Sequence, residues 1–160
     1  MQLFHGSDVE VKEPKILTTV GRAMDFGYGF YTTSSKEQAG GFTAIVNRRN
    51  KSKDRIVSVY DFDIEKANTL KTLVFDSANE AWLDFVIANR KKAYFKEQYD
   101  LIIGPVANDD VFGTLQIYEG GFITKQETIA RLLTKRLHDQ YVFTNPQALS
   151  LLKYKQTVLL

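Results

Sequence analysis

Three observations predict a single α+β domain spanning residues 1–160. Short β-prone segments run from the first residues to the last, helix-opening capping patterns fall between them, and no internal repeat or linker divides the chain. An apolar content of 44% over 160 residues is enough to bury a core.

Gln2–His5 reads as a short strand turned by Gly6-Ser7-Asp8, and Phe26–Thr33, broken by Gly27 and Gly29, as a loop entering a strand. Ser35 followed by Gln38 is a capping box for a helix over about 36–48, weakened by Gly40-Gly41. Residues 47–55 are polar and basic, which predicts an exposed loop. Ile56–Phe62 alternates as a strand does.

Ser77 with Glu80 forms a second capping box, for a helix over about 78–92 with Ala78, Trp82, Phe85, Val86 and Asn89 along one stripe. Tyr99–Ile103 is a buried-strand candidate stopped by Gly104-Pro105. Asp109 or Asp110 is a candidate cap for a helix from Val111 to Glu119, closed by Gly120-Gly121. Thr124 with Glu127 caps a helix to about Leu137. Gln140–Phe143 then reads as a strand, Asn145-Pro146 opens a short helix, and Thr157–Leu160 is a last strand candidate.

Composition removes several functions. The absence of cysteine excludes disulfides, zinc–thiolate sites and thiol nucleophiles, and two histidines, His5 and His138, argue against a histidine-rich metal site. A net charge of +2 does not by itself imply nucleic-acid binding. No apolar run approaches the roughly 18 residues of a membrane span, and the start lacks a signal peptide's pattern. The expectation is a cytoplasmic protein away from membranes.

Three segments carry chemistry: Leu3-Phe4-His5-Gly6-Ser7, Gly27-Tyr28-Gly29-Phe30-Tyr31-Thr32-Thr33 and Asp139-Gln140-Tyr141-Val142-Phe143. A His ending a strand before Gly can enter a cleft while the Gly backbone approaches a ligand closely. An electron-rich ring such as Tyr31 can stack on a pyridinium. The Gly-x-Gly run is no dinucleotide fingerprint, because the third Gly and the βαβ setting are missing. Each residue also has a bland reading: His5 as a surface or core group with ordinary hydrogen bonds, Tyr31 as core, and Gln140 as an outward polar residue on a strand.

In order and spacing the segments resemble the three signatures of the ADP-ribosyltransferase superfamily, in the branch of diphtheria toxin and the poly(ADP-ribose) polymerases. The resemblance implies two small, mainly antiparallel sheets forming an NAD cleft flanked by helices. It further implies His5 on a ribose hydroxyl, Gly6 on the nicotinamide carboxamide and Tyr31 stacked on the nicotinamide. Ser7 and Gly29 belong to the same binding segments, and Phe42 is the nearest candidate for a second stacking ring. Arg22 is a candidate for the NAD diphosphate, since a guanidinium binds such oxygens bidentately.

The third catalytic position is Gln140 where the branch has Glu. Cleavage of the nicotinamide–ribose bond builds positive charge at the anomeric carbon, which a carboxylate stabilises. Gln can hydrogen-bond the ribose without supplying that charge. The substitution predicts slow chemistry and argues against polymer elongation, leaving single ADP-ribose transfer open. Asp139 should point to the opposite strand face. Asp109 and Asp110 are candidates to supply charge near the cleft, with helix capping as their alternative role.

Asp25–Thr33 and Ile103–Ala107 are also similar to a bacterial family, the domain of unknown function 3990. Membership implies a small prokaryotic protein, such as the toxin of a toxin–antitoxin pair with a cognate antitoxin protein, or a defence effector. The readings are then a mono-ADP-ribosyltransferase acting on a macromolecule, an NAD glycohydrolase, or a silent NAD or ADP-ribose binder. An NAD-dependent RNA-end enzyme is weaker, because its paired Arg and His residues are not found. NAD is the expected co-substrate, without a metal, and the expected acceptor is a protein ahead of a nucleic acid.

Overall fold

The computed structural model describes residues 1–16, 24–91, 98–107 and 109–160, with the side chains of Asp109 and Asp110 outside the description. It shows a mixed α+β chain with two small sheets and five α-helices among the described residues.

The first sheet has the order β1-β3-β7, from Gln2–Ser7 (β1), Ile56–Phe62 (β3) and Leu152–Leu159 (β7), all antiparallel. The second has the order β2-β6-β5-β4, from Phe30–Thr32 (β2), Asp139–Phe143 (β6), Leu101–Pro105 (β5) and Thr72–Val74 (β4). Its pairs are antiparallel except β4 with β5. The β4 strand and a 3-10 turn at Lys66–Thr69 were not expected. Three residues are too few to show the alternation that marks a strand.

Helix α1, Lys36–Asn50, starts as its capping box predicts, with the Ser35 side chain accepting from the Gln38 N–H at 3.1 Å. It continues through Asn47–Asn50, which the polar composition had assigned to a loop, and ends with Lys51 in the left-handed region at φ 54°. The α1 helix lies on β1, and a Cβ on Gly6 would stand 2.1 Å from the Ala39 carbonyl oxygen. Only glycine permits that approach.

Helix α2, Glu80–Arg90, opens two residues later than its capping box suggests, because Asn79 and not Ser77 accepts from the Trp82 N–H at 2.9 Å. Helix α3 spans Asp109–Glu119 and α4 spans Lys125–Leu133, the latter capped by Thr124 as predicted but ending short of Leu137. A four-residue α5, Pro146–Leu149, is capped by Asn145. The chain turns back into β7 at Leu152, five residues before the strand expected from Thr157.

Two apolar clusters hold these layers. One packs Trp82, Leu83, Phe85 and Val86 of α2, with Val111, Leu115 and Leu132, on Ile102 and Val142 of the second sheet. The other joins Leu3, Tyr60 and Phe62 of the first sheet to Phe30, Leu101 and Phe143 of the second, closed by Ala148 and Leu149 of α5. At roughly 1.5–3 kcal/mol per fully buried large apolar side chain, these clusters dominate the folding drive. The seam between the sheets is where the candidate residues meet.

Candidate functional site

Among the described residues the two sheets share one backbone bridge, where Phe4 and Thr33 exchange N–H···O=C bonds of 2.8 and 3.0 Å. Beyond it β1 and β2 part. Phe4 turns its backbone groups away from β3 to make this bridge. Antiparallel alternation then points the N–H and C=O of Gly6, two residues on, toward the same gap. The Tyr31 carbonyl also faces the gap, and there it meets the Nδ1 atom of His5 at 2.7 Å.

Strand registers define which side chains share a face. Phe4 opposes Thr33, Tyr31 opposes Val142, and Gln140 opposes Gly104. Phe4, Gly6, Tyr31, Val142 and Gln140 therefore line one continuous surface, the side covered by α1 over the first sheet and α2 over the second. Tyr31 and Gln140 are diagonal neighbours there, with Cα atoms about 7–8 Å apart by standard sheet geometry. The His5 imidazole stands on the reverse face, stacked on Phe30 at 4.4 Å between centroids. It reaches the shared surface only through the gap.

A carbonyl can only accept, so the His5–Tyr31 bond puts the imidazole proton on Nδ1 and leaves Nε2 as an acceptor. Burial lowers the His5 pKa, against a smaller opposite pull from the Tyr31 carbonyl. The ring is neutral at neutral pH and suited to receive a hydroxyl proton in a hydrogen bond.

Tyr31 is more embedded than a free stacking platform. Its ring packs on the α2 cluster. The hydroxyl donates to the Gly27 carbonyl at 2.6 Å and accepts from the Phe26 N–H at 3.0 Å. Burial pushes its pKa far above the ordinary value, so it offers no phenolate. Gly27 sits at φ 79°, a conformation that favours glycine, and Tyr31 pins that turn.

Gln140 is 5% exposed, and its Nε2 donates to the Pro105 carbonyl at 3.4 Å. The Trp82 indole N–H donates to the same oxygen at 3.0 Å. The Gln140 amide is thus oriented by β5, with its oxygen left to accept from a ligand. Asp139 does point the other way, accepting from the Ser34 N–H at 2.9 Å, the Ser34 hydroxyl at 2.6 Å and the Thr33 hydroxyl at 3.3 Å. It clamps the corner between β2 and α1, a role sequence reasoning missed although Thr33 and Asp139 both stood in the singled-out segments.

The remaining candidates are dispersed. Ser7 turns its hydroxyl into the local turn, within 3.4 Å of Asp8 and the Val9 N–H. Gly29 is required by packing, since a Cβ there would lie 2.6 Å from Val142 Cγ1. Phe42 sits half-buried on α1 with the Arg49 guanidinium 5.7 Å from its ring centre, and no ring contact joins it to Tyr31 among the described residues. Arg22 lies outside the described residues. Asp109 opens α3 as its first residue, but its side chain and that of Asp110 lie outside the description.

A cavity of about 420 Å³ lies elsewhere on the second sheet, lined in part by Tyr28, Asn89, Asp100 and Asn145. It holds none of His5, Tyr31 or Gln140. The Asn89 and Asn145 amides inside it are committed to the Asp25 and Phe85 carbonyls and to the Asp100 carboxylate. Among the described residues no group of three or more His, Asp and Glu side chains is placed to hold a metal ion, and no helix is long and apolar enough to cross a membrane.

No curated protein and no solved structure matches the chain. Residues 1–154, which include both parting strands, His5, Tyr31 and Gln140, match the family described as protein of unknown function DUF3990, and the chain belongs to that family.

Proposed function

We propose that this protein is a mono-ADP-ribosyltransferase that uses NAD as co-substrate, modifies a macromolecule and releases nicotinamide. The observation that carries the reading is the His5 contact to the Tyr31 carbonyl at the parting of β1 and β2. It joins two of the three resembling segments at a gap, fixes a neutral imidazole, and leaves Nε2 for a ribose hydroxyl.

In this reading the nicotinamide lies against Tyr31, and its carboxamide exchanges hydrogen bonds with the N–H and C=O of Gly6. That backbone pair matches a primary amide donor for acceptor. Gln140 holds the hydroxyl beside the anomeric carbon. The glycosidic C–N bond breaks with its electron pair passing to the pyridinium nitrogen, which becomes neutral. The acceptor nucleophile then bonds the anomeric carbon and gives up its proton. In this scheme the positively charged leaving group supplies the electrophilic drive.

A second reading, an NAD-binding protein without turnover, is favoured by the Gln140 contact to Pro105 and by the commitment of the adjacent Asp139 carboxylate to Ser34 on the opposite face. Incubation with labelled NAD, with and without cell lysate, separates the two. Labelled macromolecule supports the transferase. Free ADP-ribose identifies an NAD glycohydrolase, and unchanged NAD with measurable binding identifies the silent binder. As the toxin of a toxin–antitoxin or defence system, the enzyme would also arrest growth when expressed without its antitoxin.

A further inference from the structure

We infer that the C-terminal end of α1 is a docking surface for single-stranded nucleic acid. Residues 47–55 carry five cations and one carboxylate in a chain of net charge +2, so the rest of the chain is net negative. Arg48, Arg49, Lys51 and Lys53 are all exposed. No ion pair joins any of them to a carboxylate among the described residues. Arg55 is exposed too but is committed to α1, donating to the Gly40 carbonyl and the Thr43 hydroxyl. Nearby acids are Asp54 and Asp8, the latter held by Asn50 at 2.9 Å.

Two further observations separate this end from an ordinary solvated face. Lys51 is the one non-glycine residue with positive φ among the described residues, in a cap position where glycine costs less. A cation is thus held there against local backbone preference. Phe42, two helical turns closer to the cleft, carries the Arg49 guanidinium over its half-exposed ring. A cation cluster followed by an aromatic platform fits phosphates followed by a stacked base, which an acidic peptide does not supply.

The surface also has a direction. Helix α1 ends at Lys51 and begins against Gly6, and the path from Lys51 back to Ala39 covers about 18 Å of helix axis. A strand lying along it runs from the basic end, past Phe42, toward the gap at Gly6. The consequence that this strand is the ADP-ribose acceptor rests on the transferase reading; its binding does not.

Fluorescence anisotropy with a labelled oligouridylate of about 16 nucleotides, measured without NAD at about 50 and 200 mM salt, tests the docking. The wild type should bind and weaken with salt. Replacing Arg48, Lys51 and Lys53 together by Ala should weaken binding at low salt by roughly tenfold or more and flatten the log–log salt slope by about 2. Phe42→Ala should weaken it about fivefold or more with the slope unchanged. Lys51→Gly should keep or raise thermal stability while weakening binding. Circular dichroism establishes that each variant is folded.

Absence of wild-type binding would overturn the inference. So would a poly-Glu peptide of matched charge binding as tightly with Phe42→Ala neutral, which identifies an acidic protein as the partner. Adding labelled NAD to the bound oligonucleotide keeps the two readings apart. Binding without label transfer counts against nucleic acid as acceptor and leaves the docking surface standing.

Discussion

His5 donates its Nδ1 proton to the carbonyl of Tyr31 at 2.7 Å, across the gap where β1 and β2 separate. The bond ties an edge strand of one sheet to an edge strand of the other beyond the bridge at Phe4 and Thr33. It also sets the roles of the two ring nitrogens: Nδ1 gives, Nε2 receives.

The first prediction follows from that proton. Burial holds the His5 pKa below the ordinary value, so the unfolded chain takes up a proton at a pH where the folded protein does not. Stability from this site is therefore complete above about pH 6.5 and lost as pH falls toward the depressed folded value. Urea unfolding across that range should show the decline, and His5→Gln should lack this component. NAD affinity of the folded protein should hold through that range and fall as pH drops through the depressed folded value, because a protonated Nε2 cannot accept. An affinity indifferent to pH below that value would remove Nε2 from the site.

Tyr31 has two separable roles, and two substitutions divide them. Tyr31→Phe keeps the ring but leaves the Phe26 N–H and the Gly27 carbonyl without their partner, at a cost of about 1–3 kcal/mol of stability. Tyr31→Ala removes the ring as well and should cost a further 1–3 kcal/mol, roughly, of NAD binding. Denaturant unfolding reads the first effect and calorimetric titration of folded protein the second. Equal NAD affinity in wild type and Tyr31→Ala would displace the nicotinamide from this ring.

Gly6 tests the gap itself. A methyl group there would sit 2.1 Å from the Ala39 carbonyl oxygen, which belongs to helix backbone and cannot rotate aside. Gly6→Ala should therefore destabilise the protein by about 1–3 kcal/mol or push α1 off β1. Thermal unfolding and amide exchange across α1 measure the two responses. A fully stable variant with unchanged α1 protection would show that the close approach of α1 to Gly6 is not what requires glycine here.

Much of this arrangement was legible from local signals. Ser35, Thr124 and Asn145 announced their helices because a side-chain cap is written within three residues of the donor it meets. The α1 extension to Asn50 was hidden, since charged residues signal exposure and an exposed final helical turn looks like a loop. The alternation in β6 separated Asp139 from Gln140 correctly, whereas its consequence, a carboxylate clamping Ser34 from 105 residues away, depends on strand pairing. Phe42 shows the limit most clearly. It was the nearest ring to the second segment in sequence, yet it stands on α1 beside Arg49 with no ring contact to Tyr31 among the described residues.

Gln140 decides between a working transferase and a binder. Its amide is held by the Pro105 carbonyl and nearly closed from solvent, so it is positioned before any ligand arrives. If it orients the ribose, Gln140→Ala should lower nicotinamide release by about tenfold to a thousandfold, the range of one well-placed transition-state group. Gln140→Glu has two opposed consequences. Its carboxylate faces the Pro105 carbonyl with no proton to donate, which should cost about 1–3 kcal/mol of stability. The same charge stands where the oxocarbenium develops, so nicotinamide release should be preserved or raised in the folded fraction. Stability and release must be measured on the same samples, because loss of folded protein would otherwise mask a faster site. If the protein is a silent binder, neither substitution changes its background NAD cleavage. Wild-type activity that survives Gln140→Ala undiminished would take the residue out of the mechanism, and the seam between the sheets would then have to act through His5 and Tyr31 alone.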